Sequence, residues 1–208
     1  MEKRRGPRRE YIEFDLNTLM QKRMELMRRK YDSLEKGMYI QGEVKHFIFI
    51  ELYEGVMGMM VPEHFGVMPE KFQAIKYPSE FRPQELLTSD DLAVNLGFTH
   101  FTQVATDEEL ESIVAQMMEL IVRSNQSVEF LGKEKRLTTN CQKIYYHFRF
   151  QGLDEAVYNL QCLTLVDKRI MMGTFSCPYR EQEEWGSAAV KMFGSVTDLT
   201  KPGAAQKI

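Results

Sequence analysis

The sequence predicts an α+β fold in which an antiparallel β-sheet is flanked by helices, with an added N-terminal helix. Three observations carry this reading. Apolar residues recur at steps of three and four in three separate stretches, they alternate with polar residues through most of the remainder, and proline or turn residues separate the two patterns. At 208 residues, 43% hydrophobic and 27% charged, the chain is long and apolar enough to bury a core without staples.

The first helix is read from Leu16, Met20, Met24, Met27, Tyr31 and Leu34. Asp15 or Asn17 is its expected cap, Gly37 its expected stop, and Arg28, Arg29 and Lys30 suit the negative end of the helix dipole. From Met38 the period becomes two. Met38, Ile40, Gly42, Val44, Ile48, Ile50 and Leu52 fall on one side of an extended chain, and Phe47 and Phe49 make its far end apolar on the second side too. Glu54-Gly55 turns this strand into a partner over 56–61.

Pro62, Pro69, Pro78 and Pro83 withhold ladder donors and hold the preceding residues extended. The stretch between them therefore reads as loop, with 75–77 and 85–88 as brief edge strands. Ser89-Asp90-Asp91 supplies a turn, after which Leu92, Val94, Leu96 and Phe98 alternate. Thr106-Asp107-Glu108-Glu109 has the cap-then-acid pattern of a helix start, and Leu110, Ile113, Val114, Met117, Leu120 and Ile121 form its stripe. Ile144, Tyr146, Phe148 and Phe150 then alternate against Tyr145, His147 and Arg149. Strands over 157–166 and 170–175 meet at Asp167-Lys168, and a last helix over 181–193 presents Trp185, Ala188, Ala189 and Met192. The expected domain organisation is a basic arm and helix over 1–36, the α+β domain over 37–200, and a loose tail over 201–208.

That order, together with Val61-Pro62-Glu63, the segment Ile75-Lys76-Tyr77-Pro78-Ser79-Glu80-Phe81-Arg82-Pro83, and Phe175-Ser176-Cys177-Pro178 before a Trp-bearing helix, resembles the PsbP/Mog/DcrB-like superfamily over about residues 38–199. The resemblance implies an antiparallel sheet flanked by helices and a binding, assembly or adaptor role, including chaperone-like service to secreted effectors. It implies no shared catalytic residue set. The basic arm and first helix stand outside it as an addition.

The chemistry in the sequence is sparse. Cys141, Cys162 and Cys177 are odd in number and contain no C-x-x-C pair, so they read as reduced core thiols in a reducing, cytoplasmic setting. His46, His64, His100 and His147 lack the spacing of a metal site, and no metal or other cofactor is expected. Neither a G-x-S-x-G elbow nor a phosphate-binding glycine loop occurs. Asp90-Asp91, Glu108-Glu109 and Glu183-Glu184 sit at turns and helix starts, where solvation and capping account for them. The N-terminus lacks the apolar middle of a secretory signal, and the apolar run over 47–52 is far short of the ~20 residues of a membrane span.

The function expected is that of a non-catalytic adaptor or chaperone-like module engaging a protein partner. Its candidate contact residues are Tyr77, Phe81, Arg82 and Pro83, where two prolines stiffen a loop carrying aromatics and an arginine. The competing structural reading has Tyr77 and Phe81 plugging the sheet edge while Arg82 pairs with an acid. Leu16, Met20, Met24 and Met27 offer a stripe for a homodimer. The methionines Met57, Met59, Met60 and Met68 suit either an adaptable groove or ordinary core. A rival function is nucleic-acid or anionic-membrane binding through Lys3, Arg4, Arg5, Arg8 and Arg9. Residues 1–36 carry net +4, but the remainder carries net −7 and would repel a polyanion. A hydrolase using Cys141 with His147, or Ser176 with a histidine, is the third reading.

Overall fold

The computed structural model describes residues 8–80, 82–137, 142–152 and 154–201, with side chains from residue 16 onward. The chain forms two compact units, Met1–His46 and Phe47–Ile208.

The first unit opens with α1 (Arg8–Lys30). This helix starts before the caps expected at Asp15 or Asn17 and ends before Gly37. The Tyr31 amide closes its last turn on the Met27 carbonyl at 2.9 Å, and the chain then enters a three-stranded sheet of β1 (Asp32–Ser33), β2 (Gly37–Ile40) and β3 (Glu43–Lys45). Tyr31 and Leu34 keep helical spacing, but Asp32 and Ser33 are poor helix formers that pair instead with Met38 and Gly37. Gly37, at φ +91°, shapes that β1–β2 connection rather than a helix stop. The single strand expected over 38–52 is likewise broken, into β2, β3 and a further strand that starts at Phe47. Gln41 (φ 52°) and Gly42 (φ 82°) both take the left-handed conformation of a two-residue hairpin turn, and Ile40 faces Glu43 across it.

The second unit begins with the hairpin β4 (Phe47–Leu52) and β5 (Met57–Pro62), as the alternation predicted. After the two-residue β6 (Gly66–Val67) comes α2 (Glu70–Lys76), so residues 75 and 76, expected as an edge strand, form the end of a helix. Pro69 stands at its N-cap, where the absence of an N–H costs nothing. Then follow β7 (Glu85–Thr88), β8 (Asn95–Val104), α3 (Leu110–Ser124), β9 (Glu129–Leu137), β10 (Gln142–Gln151), β11 (Ala156–Val166), β12 (Arg169–Pro178), a single 3-10 turn, α4 (Gln182–Gly194) and β13 (Thr197–Asp198). Leu92, expected in the strand, belongs to the preceding turn with φ 62°.

The large sheet is antiparallel in the order β6-β7-β8-β12-β11-β10-β9, and β13-β5-β4 makes a smaller one. Register fixes its two faces. Ile144, Tyr146, Phe148 and Leu163 pack with Leu110 and Val114 of α3. On the other face Phe98 meets Phe193 edge to face, and Phe175 lies 6.2 Å from Trp185, both partners on α4. Gly173 is required there, because a Cβ would collide with the Phe193 ring. Lys143, also buried, donates from Nζ to the Gly194 and Val196 carbonyls at 2.6 and 3.0 Å and so ties off the C-terminus of α4.

Candidate functional site

The proline-rich segment is fixed at both ends. Tyr77 caps α2, its amide bonded to the Gln73 carbonyl at 2.8 Å, and its half-buried ring brings the hydroxyl to the side chain of Ser176. Burial raises the Tyr77 pKa, with the Ser176 bond opposing the rise. Pro83 lies over the sheet at Gly97, where a Cβ would stand 2.7 Å from Pro83 Cγ. Arg82 is exposed, its amide bonded to the Ser79 carbonyl at 3.2 Å. Of the four residues singled out in this segment, Tyr77 and Pro83 thus sit on the sheet, Arg82 faces solvent, and Phe81 lies outside the described residues. α2 buries none of its residues, and Ile75 is 72% exposed.

A second feature has no sequence motif. The β4–β5 turn, β7, β8 and the start of β12 together enclose an open cleft of about 500 Å³ lined by Tyr53, Glu54, Val56, Gln84, Glu85, His100 and Arg169. Tyr53 and Glu54 both have φ 54° and Gly55 has φ 83°. Two consecutive non-glycine residues in the left-handed region make this a strained turn. His100 is buried. Its Nε2 lies 3.0 Å from the Val166 carbonyl, which makes that nitrogen the donor, and its amide donates to Gln84 Oε1 at 2.9 Å. The Tyr53 ring leans on the His100 imidazole with centroids 5.4 Å apart. Burial raises the Tyr53 pKa and the Glu85 charge adds to it; the main chain of His100 opposes the rise. Arg169 Nη2 donates to Asp167 Oδ2 at 3.2 Å. The only advance signal for this site was the Glu54-Gly55 turn, since its other members come from strands far apart in the chain.

The groups considered for catalysis do not assemble into a nucleophile–base pair among the described residues. Ser176 is buried beside the Tyr77 hydroxyl and the Asn95 amide. His147 Nδ1 lies 3.2 Å from Tyr158 Oη, and burial lowers its pKa. Cys141 lies outside the described residues. Burial pushes the Cys177 thiol up to about 12, leaving it protonated and unreactive at neutral pH. Among the described residues no three His, Cys, Asp or Glu side chains are grouped to hold a metal ion, and no helix is long and apolar enough to cross a membrane.

No family model and no curated protein matches the sequence. Solved structures do. The solution structure of cyanobacterial PsbP (CyanoP) from Synechocystis sp. PCC 6803 superposes with a TM-score of 0.56 at 11% identity, covering 75% of this chain and 94% of that one. The Saccharomyces cerevisiae Ran-binding protein Mog1p gives 0.46 at 14% identity over 74% and 96% of the two chains. LpqN of Mycobacterium tuberculosis, described as involved in cell envelope biogenesis, gives 0.46 at 9% identity over 80% and 96%. The superposition on cyanobacterial PsbP shows that the chain has a PsbP-like α+β fold, and its N-terminal helix α1 is present. At these identities the likeness concerns fold alone.

Proposed function

We propose that this chain is a non-catalytic protein-binding module of the cytoplasm, with the apolar surface of α1 as its principal docking face. One observation carries the reading. Leu16, Leu19, Met20, Met24 and Leu26, five large apolar side chains within eleven residues, are 37% to 65% exposed. Elsewhere in the described chain such exposed residues stand alone at Ile48, Val67, Ile75, Val104 and Leu137, with Leu120 and Val122 a pair on α3. Scattered apolar residues are ordinary on a surface, whereas a run along one helix marks an interaction surface. Cys162 and Cys177 are buried thiols outside any disulfide, which suits a reducing compartment.

The proposed occupant is a second copy, packed along Leu16, Met20, Met24 and Met27, whose spacing of four, four and three keeps them on one side of the helix. Light scattering on the eluting protein tests this. A dimer that becomes monomeric in a Leu16→Glu, Met20→Glu double variant is the expected result, and a wild-type monomer would sink the homodimer.

The second docking reading uses the Tyr77, Phe81, Arg82, Pro83 segment. It is favoured by the way Tyr77 and Pro83 hold to the sheet while Arg82 is left exposed. Arg82→Ala should then remove a co-purifying protein partner while leaving the melting temperature unchanged. Retention of that partner would confine docking to α1.

A further inference from the structure

Buried polar atoms in folded proteins almost always have a hydrogen-bond partner, so those without one mark a place where something is missing. Two of them belong to the same cleft. Tyr53 Oη and Arg169 Nε are each buried with no hydrogen-bond partner, and both residues line the 500 Å³ opening between the β4–β5 turn and the sheet. The main chain of His100 is near enough to Tyr53 to influence its hydroxyl, but not in bonding geometry. Arg169 is held through Nη2 on Asp167, and its buried Nε–H is left without a partner.

Both unsatisfied groups are donors, and a single acceptor oxygen, or the two oxygens of a carboxylate, would satisfy them. The rest of the cleft narrows the choice. Glu54 and Glu85 line it as carboxylates and would repel a phosphate or another dense anion, while Arg169 disfavours a bare cation. Val56 supplies the apolar wall. The complementary ligand therefore carries an acceptor carboxylate and a positive group a few ångströms apart.

We propose that this cleft binds a small zwitterion of the α-amino-acid or short-peptide class, its carboxylate accepting from Arg169 Nε–H and Tyr53 Oη–H and its ammonium paired with Glu85. The turn at Tyr53-Glu54-Gly55 is the movable wall. The Tyr53 hydroxyl and the Arg169 Nε–H are closed over, so entry requires the Tyr53 ring to shift, and a turn already in a disfavoured left-handed conformation has the least to lose by doing so.

The test is a titration of the ¹⁵N-labelled full chain, followed by NMR, with glycine, L-glutamate, L-lysine and L-alanyl-L-alanine, against sodium acetate and methylammonium chloride. At least one zwitterion should shift the amides of Tyr53 to Val56, Glu85, His100 and Arg169, and bind about tenfold more tightly than either control. Tyr53→Phe should weaken that zwitterion about tenfold yet melt at or above the wild-type temperature, because it removes a buried hydroxyl that has no partner. Glu85→Gln should reduce binding to the level of acetate. Absence of shifts with every zwitterion, equal binding of acetate, unchanged binding by Tyr53→Phe, or a lowered melting temperature in that variant would each overturn the assignment.

Discussion

α3 and α4 pack on opposite faces of one sheet, and they do so to different depths. α4 buries Trp185, Ala188, Ala189, Met192 and Phe193, whereas α3 buries only Leu110 and Val114 and leaves Ile113, Met117 and Ile121 half in water. The α4 face is also tied by Lys143 to the end of its helix and fitted at Gly173 to a ring. The opposite face has α3 over Ile144 and Leu163, while its far side carries the buried polar residues Asn95, Asn159 and Ser176, which meet across the strands. One face is thus built for rigidity and the other leaves more of its apolar surface in contact with solvent.

The difference is measurable. Trp185→Ala should cost about 3–5 kcal/mol in urea unfolding, as a large aromatic removed from a closed core; a loss under about 1 kcal/mol would break the comparison. Lys143→Met should cost about 2–3 kcal/mol, since it strips the buried Val196 carbonyl and the partly buried Gly194 contact of their donor. On the other face, Ile113→Ala should cost only about 1 kcal/mol because the side chain is already half solvated. Tyr77→Phe, which removes the hydroxyl bonded to Ser176, should cost a similar ~1 kcal/mol.

The smallest effect expected is one of pH. The Ser89 hydroxyl, at 2.5 Å, and the Ala93 amide, at 3.0 Å, hold the Asp91 carboxyl below its usual range. A depressed acid adds stability above the unfolded value near pH ~4 and loses it as pH falls through the lower folded value. Asp91→Asn should therefore flatten the acid limb of the stability curve while leaving its neutral plateau only slightly lower.

What the sequence disclosed follows this division. The alternation of Ile144, Tyr146, Phe148 and Phe150 and the spacing of Trp185, Ala188 and Met192 were legible because one element buries one face and the period has a single physical cause. Tyr31 and Leu34 misled for the same reason, since helical spacing continued past the point where Asp32 and Ser33 chose a ladder. Gln41-Gly42 looked like two more residues of an alternating strand, because period-two patterning does not register a two-residue reversal that keeps parity. Ile75 was read as extended from the prolines around it, although Pro69 stands where a helix begins. The cleft left almost no trace. Tyr53, Gln84, His100 and Arg169 meet only through strand order, and neither a left-handed tyrosine nor an unpaired donor can be seen in a string of letters.

The placement of β13 has a consequence for how the chain is made. Residues 197 and 198 complete the small sheet by pairing with β5, and Ser195 Oγ accepts from the Met60 amide at 2.8 Å. The Leu199 amide closes on the Val56 carbonyl at 3.0 Å. A hairpin translated early therefore waits for a strand some 140 residues later before its second edge is covered. Contacts of such sequence separation slow folding and leave an apolar edge bare on the nascent chain. Until Asp198 has been made, that edge of β5 keeps its ladder groups open to pairing with another strand.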